Sequence, residues 1–139
     1  MGSNGCPHLD WFEHAERKVS VDLVTPYRGP GVEAVTADFF RYATNERFDV
    51  CLCLQVLEHV AHPSAFARKL LSLADHVIAS VPYRWPAGKC VAHLHDPVDE
   101  AKMREWFGRE PNLSIIVEEE KKRSASKRLI CHYASGCRS

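Results

Sequence analysis

Three polar side chains, Gln55, Glu58 and His59, follow directly on a run of apolar residues at 50–54. A carboxylate and an imidazole can move protons near neutral pH, so this stretch has a clear capacity for chemistry. If a helix begins near Gln55, the three side chains lie at positions i, i+3 and i+4 and project from one face. Further groups of this kind lie in an unpatterned segment at residues 84–96: His93, His95 and Asp96.

The apolar run must form a buried element for these groups to have a fixed position. Residues 50–54 are short and almost entirely apolar, which predicts a strand buried on both faces of a parallel sheet, with Asp49 at its entry. Open α/β sheets bind their ligands at the carboxyl ends of the strands. The sequence therefore predicts that the polar cluster lies at the ligand-binding edge of a sheet.

Strand and helix patterns alternate along most of the chain. Strands are predicted at residues 18–24, 32–36, 76–81, 114–118 and 128–133, and helices at 9–17, 63–74 and 97–108. Gly108 is expected to stop the last helix. The charged residues 119–127 are predicted to be a solvated loop, and residues 134–139 a frayed tail. The alternation predicts one domain over residues 1–139, a three-layer α/β/α sandwich with a mostly parallel sheet and a C-terminal antiparallel hairpin.

The composition narrows the class of partner. The chain has 139 residues, and its 18 basic and 18 acidic residues cancel. No overall field would attract nucleic acid or an anionic membrane, so a small molecule is the expected partner. No apolar run approaches the roughly 20 residues needed to span a bilayer, and no leader is evident, which predicts a cytoplasmic protein. Homodimerisation stays open.

The six cysteines do not form a recognisable framework. Cys51 and Cys53 alternate with apolar residues in the predicted buried strand, where reduced cysteine behaves as a small hydrophobe. No Cys-x-x-Cys pair is present, so a disulfide scaffold is not expected. A zinc site formed by Cys90, His93 and His95 would lack a fourth protein ligand.

Residues 48–60, Phe-Asp-Val-Cys-Leu-Cys-Leu-Gln-Val-Leu-Glu-His-Val, resemble the fourth-strand motif of class I S-adenosylmethionine-dependent methyltransferases. The resemblance is strongest to the small-molecule branch that includes the ubiquinone-biosynthesis O-methyltransferases. It implies a Rossmann-like sheet and S-adenosylmethionine as the cofactor. It covers nearly the whole chain except the family's first strand, which is missing from the sequence. That loss is expected to leave the second and fourth strands without a shared neighbour. Three explanations stay open: the chain is a fragment, its start is truncated, or the gap is filled in another way.

The resemblance also assigns cofactor-binding residues. A glycine loop in the family wraps the methionine part of the cofactor, and Gly2, Asn4 and Gly5 would serve here; Met-Gly-Ser is also a common expression scar. Asp22, with Leu23 beside it, ends a strand where an acid accepts the ribose hydroxyls. The alternative is that Asp22 is a turn or cap residue, the commoner role of a single Asp in this position.

Two further pairs of residues complete the implied cofactor site. Asp38 would take the adenine amino group while Phe39 packs on the ring; Asp38 as the N-cap of a short turn is the alternative, and both roles can coexist. Leu54 and Gln55 would lie beside the methionine moiety. Some relatives bind a divalent ion through Glu-x-x-Glu-His at this place. Here Gln55 replaces the first carboxylate, so no metal is expected.

Methyl transfer from a sulfonium requires no nucleophile from the protein, because the cofactor supplies the reactivity. If the acceptor is a hydroxyl, a base helps, and His59 is the leading candidate. The rivals are His93, His95 and Asp96. The alternative for His59 is a structural role, because a single histidine at the start of a helix more often only makes hydrogen bonds that hold the fold.

Three functions compete at this point. The first is methyl transfer to the oxygen or nitrogen of a small molecule. The second is a non-catalytic binding or interaction module with impaired cofactor binding, for which the missing first strand argues. The third, a nicotinamide-dependent oxidoreductase, lacks the full Gly-x-Gly-x-x-Gly pattern.

Overall fold

A computed structural model describes residues 1–121 and 124–135. The chain forms two compact units, Met1–Asn45 and Glu46–Ser139, each with its own sheet. Within the described ranges, no helix is both long enough and apolar enough to span a bilayer. The prediction of one domain over the whole chain stays a prediction.

The first unit contains a two-stranded parallel sheet. Strands β1 (Lys18–Asp22) and β2 (Val32–Thr36) pair in register, with Lys18 opposite Val32 and Asp22 opposite Thr36. Both strands were predicted, but β1 ends two residues early. It does so because the Asp22 carboxylate binds the backbone N–H groups of Val24 and Thr25 and turns the chain.

The helix predicted over residues 9–17 is wrong. Only a 3₁₀ turn forms, at His8–Trp11, and none of its residues is buried. Trp11 is 70% exposed. Because starting a helix is costly, a short apolar stripe without a packing partner does not sustain one.

The second unit contains a four-stranded sheet in the order β3 (Phe48–Leu54), β4 (Ala74–Pro82), β6 (Ser124–Ala134), β5 (Leu113–Lys121). Strands β3 and β4 are parallel, while β6 runs antiparallel to both of its neighbours. Two helices, α1 (Pro63–Leu73) and α2 (Glu100–Phe107), pack against each other. The predicted α/β class with a C-terminal antiparallel pair is confirmed.

The helix boundaries have local causes. Proline is favoured at the first position of a helix, and Pro63 occupies it in α1. In α2 the Asp99 side chain accepts a hydrogen bond from the Lys102 N–H at 3.1 Å, which caps the helix. Gly108 follows with a left-handed φ of 68°, so the predicted stop is confirmed. Helix α2 begins later than predicted because Asp99, not Pro97, is its N-cap.

Two strand predictions need correction. Strand β3 is not buried on both faces: Val50 is 37% exposed, and Asp49 is exposed as well. The reason is that β3 lies at the edge of its sheet, where β4 is its single partner among the described residues. The solvated loop predicted at 119–127 is also wrong, since β5 and β6 extend through most of it.

Some predictions remain untested. Among the described residues, no strand pairs with both β1 and β3. The loss of the family's first strand nevertheless stays a prediction. The frayed tail predicted at 134–139 lies outside the described residues, apart from Ala134 in β6 and Ser135 after it.

Candidate functional site

In the first unit, the Asp22 carboxylate is the hydrogen-bonding centre of two loops. One oxygen accepts the Val24 and Thr25 N–H groups, both at 2.9 Å, and the other accepts the Asn4 N–H at 3.0 Å. Partial burial raises the pKa of Asp22, but the three N–H donors lower it more, so it lies below its ordinary value of 3.8. A carboxylate has about four acceptor positions, so one remains for a ligand.

The predicted glycine loop has the backbone that its sequence requires. Gly2, Asn4 and Gly5 all have positive φ, at 63°, 43° and 72°, so Asn4 does adopt the left-handed conformation expected of it. The Gly2 N–H donates to Val21 O at 3.0 Å, and the Gly5 N–H donates to Thr25 O at 2.8 Å. These bonds fix the loop against the end of β1.

Two serines in the first unit have a role that no sequence pattern indicated. The Tyr27 N–H donates to the hydroxyl oxygens of Ser3 and Ser20, and the Ser20 hydroxyl donates to Ser3 at 3.0 Å. Serine is common in loops, so its type and spacing carried no information. These bonds join the glycine loop to the turn after β1.

The predicted adenine residues differ in exposure. Asp38 accepts the Phe40 N–H at 2.9 Å, which is the turn-capping role considered from the sequence. Phe39 is buried, with 5% exposure, whereas Phe40 is 45% exposed and Leu23 is 68% exposed. Leu23 and Phe40 are therefore the apolar side chains of this group that a ligand can reach.

In the second unit, Gln55 is held in a left-handed conformation, with φ of 57°. Its backbone N–H donates to Ser80 O at 2.8 Å, and its side-chain Nε2 donates to the Ser80 hydroxyl at 3.0 Å. Leu54 precedes it as the last residue of β3. Gln55 is thus fixed at the carboxyl end of two parallel strands, the edge at which ligands bind in such sheets.

A helix does not begin at Gln55. The chain instead forms a three-residue 3₁₀ turn, Leu57–His59. Leu57 and Glu58 are fully buried, while the His59 side chain is 39% exposed. The His59 Nδ1 donates to Ala92 O at 3.0 Å, which leaves its Nε2 facing Glu58 Oε1 at 3.9 Å.

Glu58 is an unusual buried acid. Its side chain is 1% exposed, and neither carboxylate oxygen has a hydrogen-bond partner within the described residues. Burial raises the pKa of Glu58 to about 7. The sequence placed Glu58 at the site but did not indicate that it is buried.

The segment at residues 84–96 is tied to the 3₁₀ turn. The Leu94 N–H donates to Glu58 O at 2.8 Å, and His95 Nε2 donates to Val60 O at 2.8 Å. The Arg84 N–H donates to Val98 O at 2.8 Å and closes the base of the loop. These bonds bring the loop histidines to the turn.

His93 is the loop residue that joins the cluster. Its Nδ1 donates to Asp96 Oδ2 at 2.7 Å, and the two side chains are only 6% and 2% exposed. Its ring lies edge-on to that of His59, with centroids 4.7 Å apart. One potential ligand atom from each of Glu58, His59 and His93 lies within 4.8 Å of the others. Among the described residues, Cys90, His93 and His95 do not form such a group.

Comparison with known proteins identifies the fold. No family model matches the sequence, and no curated protein matches it. The 1,6-didemethyltoxoflavin-N1-methyltransferase of Burkholderia thailandensis, solved with its substrate and S-adenosylhomocysteine bound, matches with a TM-score of 0.71. The identity is 17%, over 96% of this chain and 68% of that one.

Two other solved structures agree. The N-methyltransferase NodS from Bradyrhizobium japonicum WM9, in complex with S-adenosylhomocysteine, has a TM-score of 0.59 and 14% identity, over 96% of this chain and 74% of its own. The N-terminal domain of EvdMO1, with S-adenosylhomocysteine bound, has a TM-score of 0.61 and 14% identity, over 97% and 72%. The predicted Rossmann-like fold is confirmed.

Proposed function

We propose that this protein is an S-adenosylmethionine-dependent methyltransferase that acts on a small-molecule acceptor. The observation that carries the proposal is a fold match over 96% of the chain to a methyltransferase crystallised with its substrate and S-adenosylhomocysteine. Fold alone does not fix function, so the residues must supply the rest. Within this class, the ubiquinone-biosynthesis O-methyltransferase branch is proposed on the sequence motif alone.

Three features of the first unit support cofactor binding. Asp22 has one acceptor position left after its three backbone bonds, and a ribose hydroxyl can donate to it. Leu23 lies beside it in the chain and is 68% exposed, so its apolar side chain is accessible to the adenosyl group. Gly2, Asn4 and Gly5 keep the loop backbone free of bulky side chains on the approach to the methionine part. Asp38 remains the proposed partner of the adenine amino group. Phe39 is buried, so the exposed Phe40 beside it is the side chain proposed to pack on the ring.

In the second unit, Leu54 and Gln55 are proposed to lie beside the methionine moiety. The fixed backbone of Gln55 suits this role because it needs no rearrangement on binding. His59 is the proposed base for a hydroxyl or amine acceptor. Its Nδ1 is engaged by Ala92 O, so its Nε2 carries the lone pair that accepts a proton.

Calorimetric titration with S-adenosylmethionine and S-adenosylhomocysteine tests the proposal. We expect saturable binding of one cofactor per chain. Asp22→Asn keeps an acceptor oxygen for the loop but removes the charge, and should weaken binding by roughly 10–100-fold, the loss expected for a hydrogen bond to a charged group. Asp49→Asn changes an exposed acid on β3 outside the proposed site and should leave the affinity unchanged.

The same titration distinguishes the rival function. Neither heat nor a thermal shift at millimolar cofactor would overturn the proposal and favour a non-catalytic interaction module. Binding that is equally strong in wild type and Asp22→Asn would overturn the ribose assignment.

A further inference from the structure

An open pocket in the second unit is lined by three cationic residues that the cofactor proposal does not use. It has a volume of about 400 Å³ and is lined in part by Arg84, Trp85, Lys89 and Lys127, and none of its described lining residues is acidic. We propose that this Trp85 pocket binds an anionic group, a carboxylate or a phosphate, that the methyl acceptor carries. The inference rests on the proposed methyltransferase function and names the class of its acceptor.

Backbone hydrogen bonds fix the walls of the Trp85 pocket. The Tyr83 N–H donates to Lys127 O at 2.9 Å, which joins the chain after β4 to β6. The Lys89 N–H donates to Pro86 O at 3.1 Å and closes a turn. Arg84 has a left-handed φ of 51°, a costly conformation that is found most often at binding sites. The pocket is therefore formed before a ligand arrives, which lowers the cost of binding.

The positive charges at the pocket are weakly compensated. Arg84 lies 3.8 Å from Glu100, but the two side chains are 64% and 46% exposed, so this ion pair contributes little. Lys89 and Lys127 form no ion pair with a described residue, although Glu118 lies opposite Lys127 in the register of β5 and β6. An anionic ligand would therefore meet a net positive field.

The Trp85 ring holds cations close to the pocket. Lys89 Nζ lies 4.1 Å from the ring centroid, and Arg128 Cζ lies 4.6 Å from it. Cation–π contacts of this kind position a cation without neutralising its charge. The indole Nε1 is buried and has no acceptor among the described residues, so a ligand oxygen admitted beside the ring would give it one.

One imidazole ring connects the Trp85 pocket with the proposed base. His93 stacks on Trp85 with centroids 5.7 Å apart, and it lies edge-on to His59 with centroids 4.7 Å apart. An acceptor anchored by its charge in the pocket would thus place a hydroxyl or amine, several bonds away, beside His59. Anchoring at a distance orients the reacting atom and leaves the His59 lone pair available for the proton.

An ¹H–¹⁵N NMR titration of the full chain with benzoate, phenyl phosphate and the uncharged benzyl alcohol tests the pocket. The indole signal of Trp85 is the readout, assigned among the three tryptophans by its loss in Trp85→Phe. We expect a saturable shift with at least one anion, and binding of benzyl alcohol at least about 10-fold weaker, the loss expected without a charged partner. The two anions distinguish a carboxylate from a phosphate.

Variants of the exposed cations locate the bound anion. Lys89→Gln and Arg84→Gln should each weaken binding of the preferred anion by about 3–10-fold, the loss expected for one partly screened charge contact. Lys89→Arg keeps the charge and should bind like wild type. Arg68→Gln removes an exposed arginine on α1, outside the pocket, and should leave the affinity unchanged. Circular dichroism checks that the variants fold.

Three results would overturn the inference. The first is the absence of a Trp85 shift with either anion, whether S-adenosylhomocysteine is present or not. The second is benzyl alcohol that binds as tightly as the anions. The third is anion affinity unchanged in both Lys89→Gln and Arg84→Gln.

Calorimetry with S-adenosylhomocysteine separates this inference from the proposed function. Cofactor binding without a preference for the anions would overturn the inference alone. Anion binding by a chain that binds no cofactor would overturn the proposed function, and with it the role of the pocket in holding a methyl acceptor.

Discussion

Asp22 ends a parallel strand in the first unit and Glu58 follows one in the second, yet their carboxylates have opposite surroundings. Asp22 accepts three backbone N–H bonds and holds two loops together. The Glu58 carboxylate is fully buried and accepts no hydrogen bond within the described residues. The first acid stabilises its own fold and keeps one acceptor position for a ligand. The second carboxylate gains no such bonds among the described residues, so the burial of its charge is costly.

The largest expected effect on stability comes from truncating Leu57, the buried side chain next to Glu58. Leu57 is fully buried in the 3₁₀ turn that carries Glu58 and His59. Leu57→Ala should lower the free energy of unfolding by about 2–5 kcal/mol, through lost burial and the cavity left behind. Leu23→Ala, next to the first acid, removes a side chain that is 68% exposed, and should change it by less than about 0.5 kcal/mol.

Urea unfolding of the two variants measures this difference. Equal losses of stability would contradict the contrast between the buried Leu57 and the exposed Leu23. Leu23→Ala should instead weaken S-adenosylmethionine binding, which calorimetry detects.

Asp22→Ala should have the next largest effect. It removes the acceptor of three backbone N–H groups, and loss of a comparable cap costs about 0.5–2 kcal/mol of stability. Thermal unfolding measures the loss, with Asp49→Ala as the control on an exposed acid. A stability equal to wild type would show that the bonds of Asp22 contribute nothing.

Glu58→Gln should act in the opposite direction. The amide removes a buried charge and can donate to the Nε2 lone pair of His59, so the variant should be more stable than wild type by about 1 kcal/mol at pH 8. Thermal unfolding checks the sign, and a destabilised Glu58→Gln would contradict the account of a buried carboxylate without a hydrogen bond.

The smallest effect is the pH dependence that Asp22 contributes. Its pKa is lowered in the folded state, so its contribution to stability is fully present above the unfolded value near 4 and is lost as the pH falls through the folded value. The stability difference between wild type and Asp22→Asn should therefore shrink below about pH 4. Urea midpoints between pH 3 and pH 6 measure it, and a difference that grows on acidification would contradict the assignment.

Much of the fold could be predicted because its signals are local. The alternation of apolar residues located β2 without error, and Gly108 marked the end of α2. The sequence also placed Asp22 and Gln55 at strand ends. These features depend on residues close together in the chain.

The parts that could not be predicted depend on distant residues. The 3₁₀ turn replaces a helix because Ser80 holds Gln55 with positive φ. His93 reaches His59 only because the loop binds the turn through Ala92 and Leu94. A pattern of residue types along the chain does not contain these contacts.

The central claim is that Asp22, Asp38 and Gln55 bind an adenosyl cofactor. Its most direct test is an ¹H–¹⁵N NMR titration with S-adenosylhomocysteine. We expect saturable shifts of the Asn4 and Val24 amides, which donate to Asp22, and of the Phe40 amide, which donates to Asp38. In the second unit we expect a shift of the Gln55 amide, which donates to Ser80 O. Saturation without shifts at these amides, or no shifts at millimolar ligand, would contradict the account.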